Sequence, residues 1–184
     1  MKYRNLMLCI SFLLIGCGGN SDLPLMNSKG FIQGYGVIWN SDRILFPVTF
    51  LKDGVNLEEG PIHLIERIDS LNIAIAKNTT LDRTSVLNLN ETPFVPGEKV
   101  LVAGDLMLVR DVNVSLGEYK MIVELDGVVL NTEIGSGVYD MRGGYRGMLV
   151  GTNLRSKRSY VVPSTVMEDI LVKKSASDPE NQEE

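Results

Sequence analysis

The sequence predicts an all-β domain in two halves of comparable length, closed at its C-terminal end by one short helix. Between Gly30 and Ile170, short runs rich in Val, Ile, Leu and Tyr are separated by Gly, Asn, Asp or Pro, which is the spacing of a β-sandwich or barrel. Near the middle, NLNETPFVPGEK (88–99) gathers turn residues and two prolines. Proline cannot donate to a strand ladder, so this stretch reads as a linker between the halves, about 30–90 and 91–172. Only STVMEDILVKK (164–174) has helical spacing, with Val166, Ile170 and Leu171 on one side and Ser164 or Thr165 placed as an amino-terminal cap.

The chain opens with MKYRNLMLCISFLLIGC, in which Lys2 and Arg4 precede an apolar run from Leu6 to Ile15. That run has ten residues, and a helix crossing a bilayer needs about 20, so residues 1–16 read as a secretory signal. The ending Leu14-Ile15-Gly16-Cys17 resembles the lipobox of bacterial lipoproteins. The resemblance implies that Cys17 becomes the first residue and carries acyl chains, and several chains together anchor a protein stably where one does not. Gly18, rather than Asp, follows the cysteine, which resembles the signal for the outer membrane, facing the periplasm. Residues 17–29 are polar, small and Gly/Pro-containing, as expected of a flexible tether.

The strand runs then follow in order: FIQGYGVIW, RILFPVTFL, PIHLIERID and LNIAIAKN in the first half, and KVLVAGDLMLVR, EYKMIVELDGVVL, GSGVYD, YRGMLVGTN and SYVVPS in the second. Asn40-Ser41-Asp42 and Arg142-Gly143-Gly144 are turn signals between consecutive runs. Residues 173–184 have no apolar periodicity and carry charge throughout, so a disordered acidic tail is expected.

Composition excludes several functions. Without Lys2 and Arg4, sixteen basic residues face twenty-three acidic ones, which argues against a nucleic-acid partner. The cluster Arg155, Lys157 and Arg158 reads as a solvated hairpin. Cys9 lies in the signal and Cys17 is the lipidation site, leaving the rest of the chain without a thiol or disulfide. With one histidine, His63, and no further cysteine, only carboxylates remain as metal partners, and no metal or cofactor is expected.

Several segments, in order, resemble the trypsin-like (chymotrypsin-fold) serine peptidases of the HtrA type. GYGVIWNSDRILFPVTFL is similar to their opening hairpin, IDSLNIAIAKN to the D-x-x-x-D-[LI]-A-[LV]-[LI]-K segment, and PGEKVLVAGD to the strand that opens the second barrel. GSGVYDMRGGYRGMLVGTN is similar to the nucleophile strand and its hairpin, and YVVPSTVMEDIL to the last strand and terminal helix. The resemblance spans residues 31–171 and implies a two-barrel fold with a short C-terminal helix.

That family's chemistry needs a serine, a histidine to take its proton and an aspartate to orient the histidine. The resemblance puts Thr49 at the histidine position, where nothing titrates near neutrality, and Asn72, isosteric but uncharged, at the aspartate position. For the nucleophile two alignments stand. The ungapped match places Ile134 there, with Thr132 where a glycine shapes the oxyanion hole. Deleting one residue places Ser136 there instead. His63, in PIHLIERID, reads as a half-exposed strand residue and not as a base. Gly34 and Gly36 read as sites of close backbone approach, Trp39 as an apolar anchor, and Tyr139 and Tyr145 as partners across a hairpin.

The expectation is a lipid-anchored pseudopeptidase of the bacterial envelope, binding a protein or peptide partner in an adaptor or regulatory role. The alternatives are a peptidase using Ser136 with an unusual base, and a β-barrel lipoprotein with a structural task in the envelope.

Overall fold

The computed structural model describes residues 22–58, 60–79, 87–116 and 119–175. The signal, Cys17 and residues 176–184 lie outside the described residues. The first half contains β1 (Asp22–Met26), β2 (Ile32–Ile38), β3 (Arg43–Pro47), β4 (Asn56–Leu57), β5 (Gly60–Pro61), β6 (Leu64–Ile68) and β7 (Ile73–Lys77). The second contains β8 (Lys99–Val102), β9 (Asp105–Leu116), β10 (Tyr119–Asp126), β11 (Gly137–Tyr139), β12 (Tyr145–Asn153) and β13 (Arg158–Pro163), followed by α1 (Ser164–Ser175).

The first half forms a seven-stranded, barrel-like sheet in the order β5-β4-β1-β2-β3-β7-β6, and the second a closed six-stranded barrel in the order β10-β13-β12-β11-β8-β9. All pairings between these strands are antiparallel. Alternation decides which face is buried. Val100, Val102, Met107 and Val109 point into the barrel with Val123, Leu125 and Val161. Leu23, Leu25, Ile38, Ile44, Phe46 and Ala74 fill the first sheet. A third cluster joins the halves: Val37, Leu45, Leu71 and Ile73 meet Tyr139, Tyr145, Met148, Tyr160 and Val162, and Met167 and Leu171 of α1 complete it. Such burial stabilises each large side chain by about 1.5–3 kcal/mol.

Four expectations are corrected. Asp22–Met26, expected within the tether, is strand β1: Leu23 and Leu25 lie buried between half-buried neighbours, and the strand pairs with β2. The run RILFPVTFL is extended only to Pro47; Val48–Asp53 is a 3-10 helix whose N-cap is that proline, consistent with proline's missing donor ending the ladder. His63 lies in the loop between β5 and β6 and is exposed, its carbonyl accepting the Lys77 N–H at 2.9 Å. At the C-terminal end, α1 begins at Ser164 and runs through Ser175, so both proposed caps fall inside it, and residues 173–175 belong to the helix and not to a tail.

Candidate functional site

Thr49, Asn72 and the turn at Ile134–Ser136 lie along the junction of the two halves. Asn72 follows the 3-10 turn Asp69–Leu71 in a left-handed conformation, φ 55°, which asparagine tolerates better than most residues. It is 4% exposed, and both ends of its carboxamide are engaged. The Oδ1 accepts the Thr49 N–H at 3.3 Å, and the Nδ2 donates to the Val150 carbonyl of β12 at 3.0 Å. Its own carbonyl accepts the Val48 N–H at 3.1 Å. One carboxamide therefore ties the start of the 3-10 helix to the second barrel. A carboxylate lacks the donor that this arrangement uses.

The turn at the nucleophile segment is locked into the first sheet. After the 3-10 turn Asn131–Glu133, the Ile134 carbonyl accepts the Tyr35 N–H at 2.8 Å, and its half-buried side chain packs against the core of the first sheet. The Ile134 N–H is turned back onto the Asn131 carbonyl at 3.3 Å. Acyl transfer needs such a donor aimed at the reacting oxygen, and here it is spent inside its own turn. Gly135 has φ +91°, and a Cβ there would fall 1.7 Å from the Tyr35 carbonyl oxygen. A Cβ on Gly34 would meet the Phe50 ring at 2.3 Å and the Ile134 carbonyl oxygen at 2.5 Å, so close approach does explain that glycine. Ser136 is 2% exposed, its N–H donating to the Glu133 carbonyl and its carbonyl accepting the Leu149 N–H.

Thr49 and Asn72 line a cleft of about 550 Å³ together with Ile122, Tyr160 and the continuous stretch from Val150 to Arg155. β11 pairs with β12 only between Tyr145 and Met148. Past Leu149, which bonds to Gly135 and Ser136, the cleft-side edge of β12 has no strand partner among the described residues. Leu154 stands 69% exposed at its mouth.

Asp22, in what the sequence suggested was tether, is part of the same junction. Its carboxylate accepts the Gly137 N–H and the Tyr139 hydroxyl, both at 3.0 Å. Burial pushes its pKa up against these two donors. Burial first, and then the Asp22 charge, push the Tyr139 phenol well above its ordinary value. Tyr139 and Tyr145 are register partners across the hairpin, their rings 5.7 Å apart at 72°, and Trp39 meets Tyr145 edge-on at 6.3 Å. Such edge-to-face pairs add about 0.5–1.5 kcal/mol each. The alternation of Asp22-Leu23-Pro24-Leu25-Met26 was the one available signal for this strand, and nothing in the sequence pointed to Asp22 as a cross-sheet acceptor.

His63 is absent from the cleft lining. Arg155 and Lys157 occupy the β12–β13 turn as expected, and Arg158 is paired with Glu124 at 3.0 Å and Asp126 at 2.8 Å. Among the described residues, no group of three His, Cys, Asp or Glu side chains could hold a metal ion, and no helix is long and apolar enough to cross a membrane.

No protein-family model and no curated protein matches the chain. Solved structures do match. The chain is similar to an inactive form of Rv3671c from M. tuberculosis H37Rv, with TM-score 0.65 and 15% identity over 86% of this chain and 88% of that one. It is similar to the MamO protease domain from Magnetospirillum magneticum, with TM-score 0.64 and 15% identity over 82% of this chain and 95% of that one. For the HtrA-type protease AlgW, solved with a tripeptide, the TM-score is 0.69 and the identity 15% over 84% of this chain and 60% of that one. The fold is that of trypsin-like serine protease domains.

Proposed function

We propose that this chain is a pseudopeptidase that holds a peptide or a segment of a protein in the cleft beside Asn72 without cleaving it. The observation that carries this reading is the pairing of an intact cleft with a spent site. Thr49 offers no base, Asn72 commits its carboxamide to Thr49 and Val150, and Ile134 directs a hydrocarbon into the first sheet. We take Ile134 as the residue at the nucleophile position, because Ser136 is buried behind it with both its backbone groups committed. A working peptidase built on Ser136 would need that hydroxyl exposed beside a titratable partner, and the chain's one histidine is elsewhere.

The unpaired edge of β12 supplies the binding mode. An extended peptide adds a strand to such an edge, main-chain hydrogen bonds giving affinity and side-chain pockets giving selectivity. AlgW has been solved with a tripeptide, and a variant of it with a decapeptide. The lipobox-like Leu14-Ile15-Gly16-Cys17 supports anchoring to a bacterial membrane, with the domain in the periplasm and an adaptor or regulatory role there.

The test is selection of displayed random peptides on the immobilised domain, followed by amide chemical-shift mapping. Enriched peptides are expected to shift Gly151, Thr152, Asn153 and Leu154 and to be recovered uncut. Absence of enrichment, or shifts confined to other faces, would count against the cleft as a binding site.

A further inference from the structure

We propose that the cleft selects an acidic segment, an Asp or Glu of the bound peptide being held by Arg155. An apolar residue two or four positions away along that peptide rests against the apolar lining of Ile122, Val150 and Tyr160. The assignment rests on the peptide-cleft reading of the site.

Charge points to the ligand. The chain carries twenty-three acidic residues, yet among the described residues that line the cleft there is no carboxylate, and Arg155 alone bears a charge. Neighbouring carboxylates do not cancel it. Glu124 lies 3.1 Å from Arg110 and 3.0 Å from Arg158, and Asp126 lies 3.5 Å and 2.8 Å from the same two side chains. Two carboxylates thus balance two guanidiniums, and Arg155, which is exposed, has no ion-pair partner among the described residues.

The turn that carries Arg155 is built to hold it beside the strand edge. Asn153, the last residue of β12, accepts the Arg155 N–H at 3.0 Å and the Ser156 N–H at 3.1 Å on its Oδ1, a side-chain turn that fixes the backbone at this point. The Thr152 hydroxyl donates to the Arg158 carbonyl at 3.1 Å and closes the base of the same hairpin. A guanidinium presents paired, coplanar donors that match a carboxylate better than an ammonium does.

Strand geometry sets the spacing. A peptide paired to the β12 edge turns alternate side chains to one face, so two residues that both face the cleft stand two or four positions apart. At about 3.4 Å per residue those separations are about 7 Å and about 14 Å, and the three steps from Val150 to Asn153 cover about 10 Å.

The experiment selects displayed random peptides at low salt on the chain from Gly18 to Glu184, which contains every described residue and neither cysteine. The full chain's net charge of -5 would by itself favour basic peptides, so an acidic preference reports the local site. Enriched sequences are expected to carry Asp or Glu two or four residues from an apolar side chain. Replacing that acid by Asn or Gln should weaken binding about fivefold, the upper end for an exposed charge pair. Arg155→Glu is expected to select Lys or Arg at the same position, and Arg155→Gln to lose the acidic preference without gaining a basic one. Lys157→Glu makes the same change of charge on the same turn but outside the cleft lining, and it is expected to keep the acidic preference. Enrichment without an acidic position, or equal effects of Arg155→Glu and Lys157→Glu, would overturn Arg155 as the selecting residue and leave the cleft reading standing. Failure of any peptide to enrich would overturn the cleft reading itself, and the selectivity with it.

Discussion

Gly135→Ala is expected to cost more than about 3 kcal/mol, enough to leave much of the domain unfolded at 37 °C, since whole domains are stable by only about 5–15 kcal/mol. Two penalties combine. A non-glycine residue held at a sparsely populated φ costs about 1–3 kcal/mol, and Gly135 sits at φ +91°. The new methyl would also lie 1.7 Å from the Tyr35 carbonyl oxygen, a distance that only backbone movement can relieve. Such movement disturbs the Tyr35-to-Ile134 hydrogen bond, which joins the two halves at this turn, and the Gly135-to-Leu149 bond, which ties the turn to β12. Gly143→Ala isolates the first penalty, because Gly143 has φ +81° and nothing within 4 Å of its Cβ position. Urea unfolding of the two variants should give midpoints well apart, with Gly143→Ala the milder by at least about 2 kcal/mol. Equal losses would mean that the close approach at Tyr35 does not constrain the turn.

Asn72→Asp, which restores the residue type that the peptidase resemblance assigns to this position, is expected to destabilise the domain by about 3 kcal/mol at pH 7, the scale for a buried charged group that loses its partner. The Thr49 N–H can still be accepted, but the group facing the Val150 carbonyl changes from a donor to a second acceptor. No histidine is present in the cleft to share the charge. Burial and the facing carbonyl raise the folded-state pKa of the introduced carboxyl above its unfolded value of about 3.9. A raised folded pKa favours the folded state below the unfolded pKa, and that advantage is lost as pH rises through the folded value. The protonated acid can again donate to Val150, so the gap from the parent should be small near pH 4 and widen toward pH 7. Asn72→Ala, which leaves Val150 without its donor at every pH, should show a gap that does not change over this range. A pH-independent loss in Asn72→Asp would mean that the carboxylate finds solvent.

Much of the architecture was legible because apolar strand runs and turn chemistry agree. Which face of a run turns inward was not legible where the run is apolar throughout: Leu106 and Leu108 are exposed beside buried Met107 and Val109, and Leu45 is buried together with Ile44 and Phe46. Asp140 illustrates the turn: although partial burial opposes its charge, the Gly144 amide, Asn90, the Arg142 amide and the Arg146 charge hold it below the usual carboxylate range, and these contacts close the β11–β12 hairpin. The strand β1 was hidden because Pro24 and its polar surroundings outweigh two leucines in a local reading, and only pairing with β2 reveals their role. The 3-10 helix after Pro47 was hidden for the opposite reason, since Val48, Thr49 and Phe50 have good strand propensity and tertiary context overrode it.

At the site, residue identities were readable by position, and Thr49 and Asn72 do lie in hydrogen-bond contact. What sequence could not show is how each group is spent. The direction of the Ile134 amide, the burial of Ser136 and the reach of Asp22 to Gly137 and Tyr139 all depend on contacts between residues 13 to 117 positions apart or on the turn's own geometry. The Arg146 guanidinium gives the same lesson. It is 4% exposed, stacked 4.3 Å from the centroid of the Phe94 ring and paired with Glu98 at 3.0 Å, an arrangement that joins the interhalf segment to β12 and that no local pattern announces.

Whether the cleft holds an activated nucleophile is decided by reaction of the chain from Gly18 to Glu184 with a fluorophosphonate probe, read by intact mass beside a Ser136→Ala control. No adduct on the folded protein is the predicted result; an adduct that disappears in the Ser136→Ala control would contradict it.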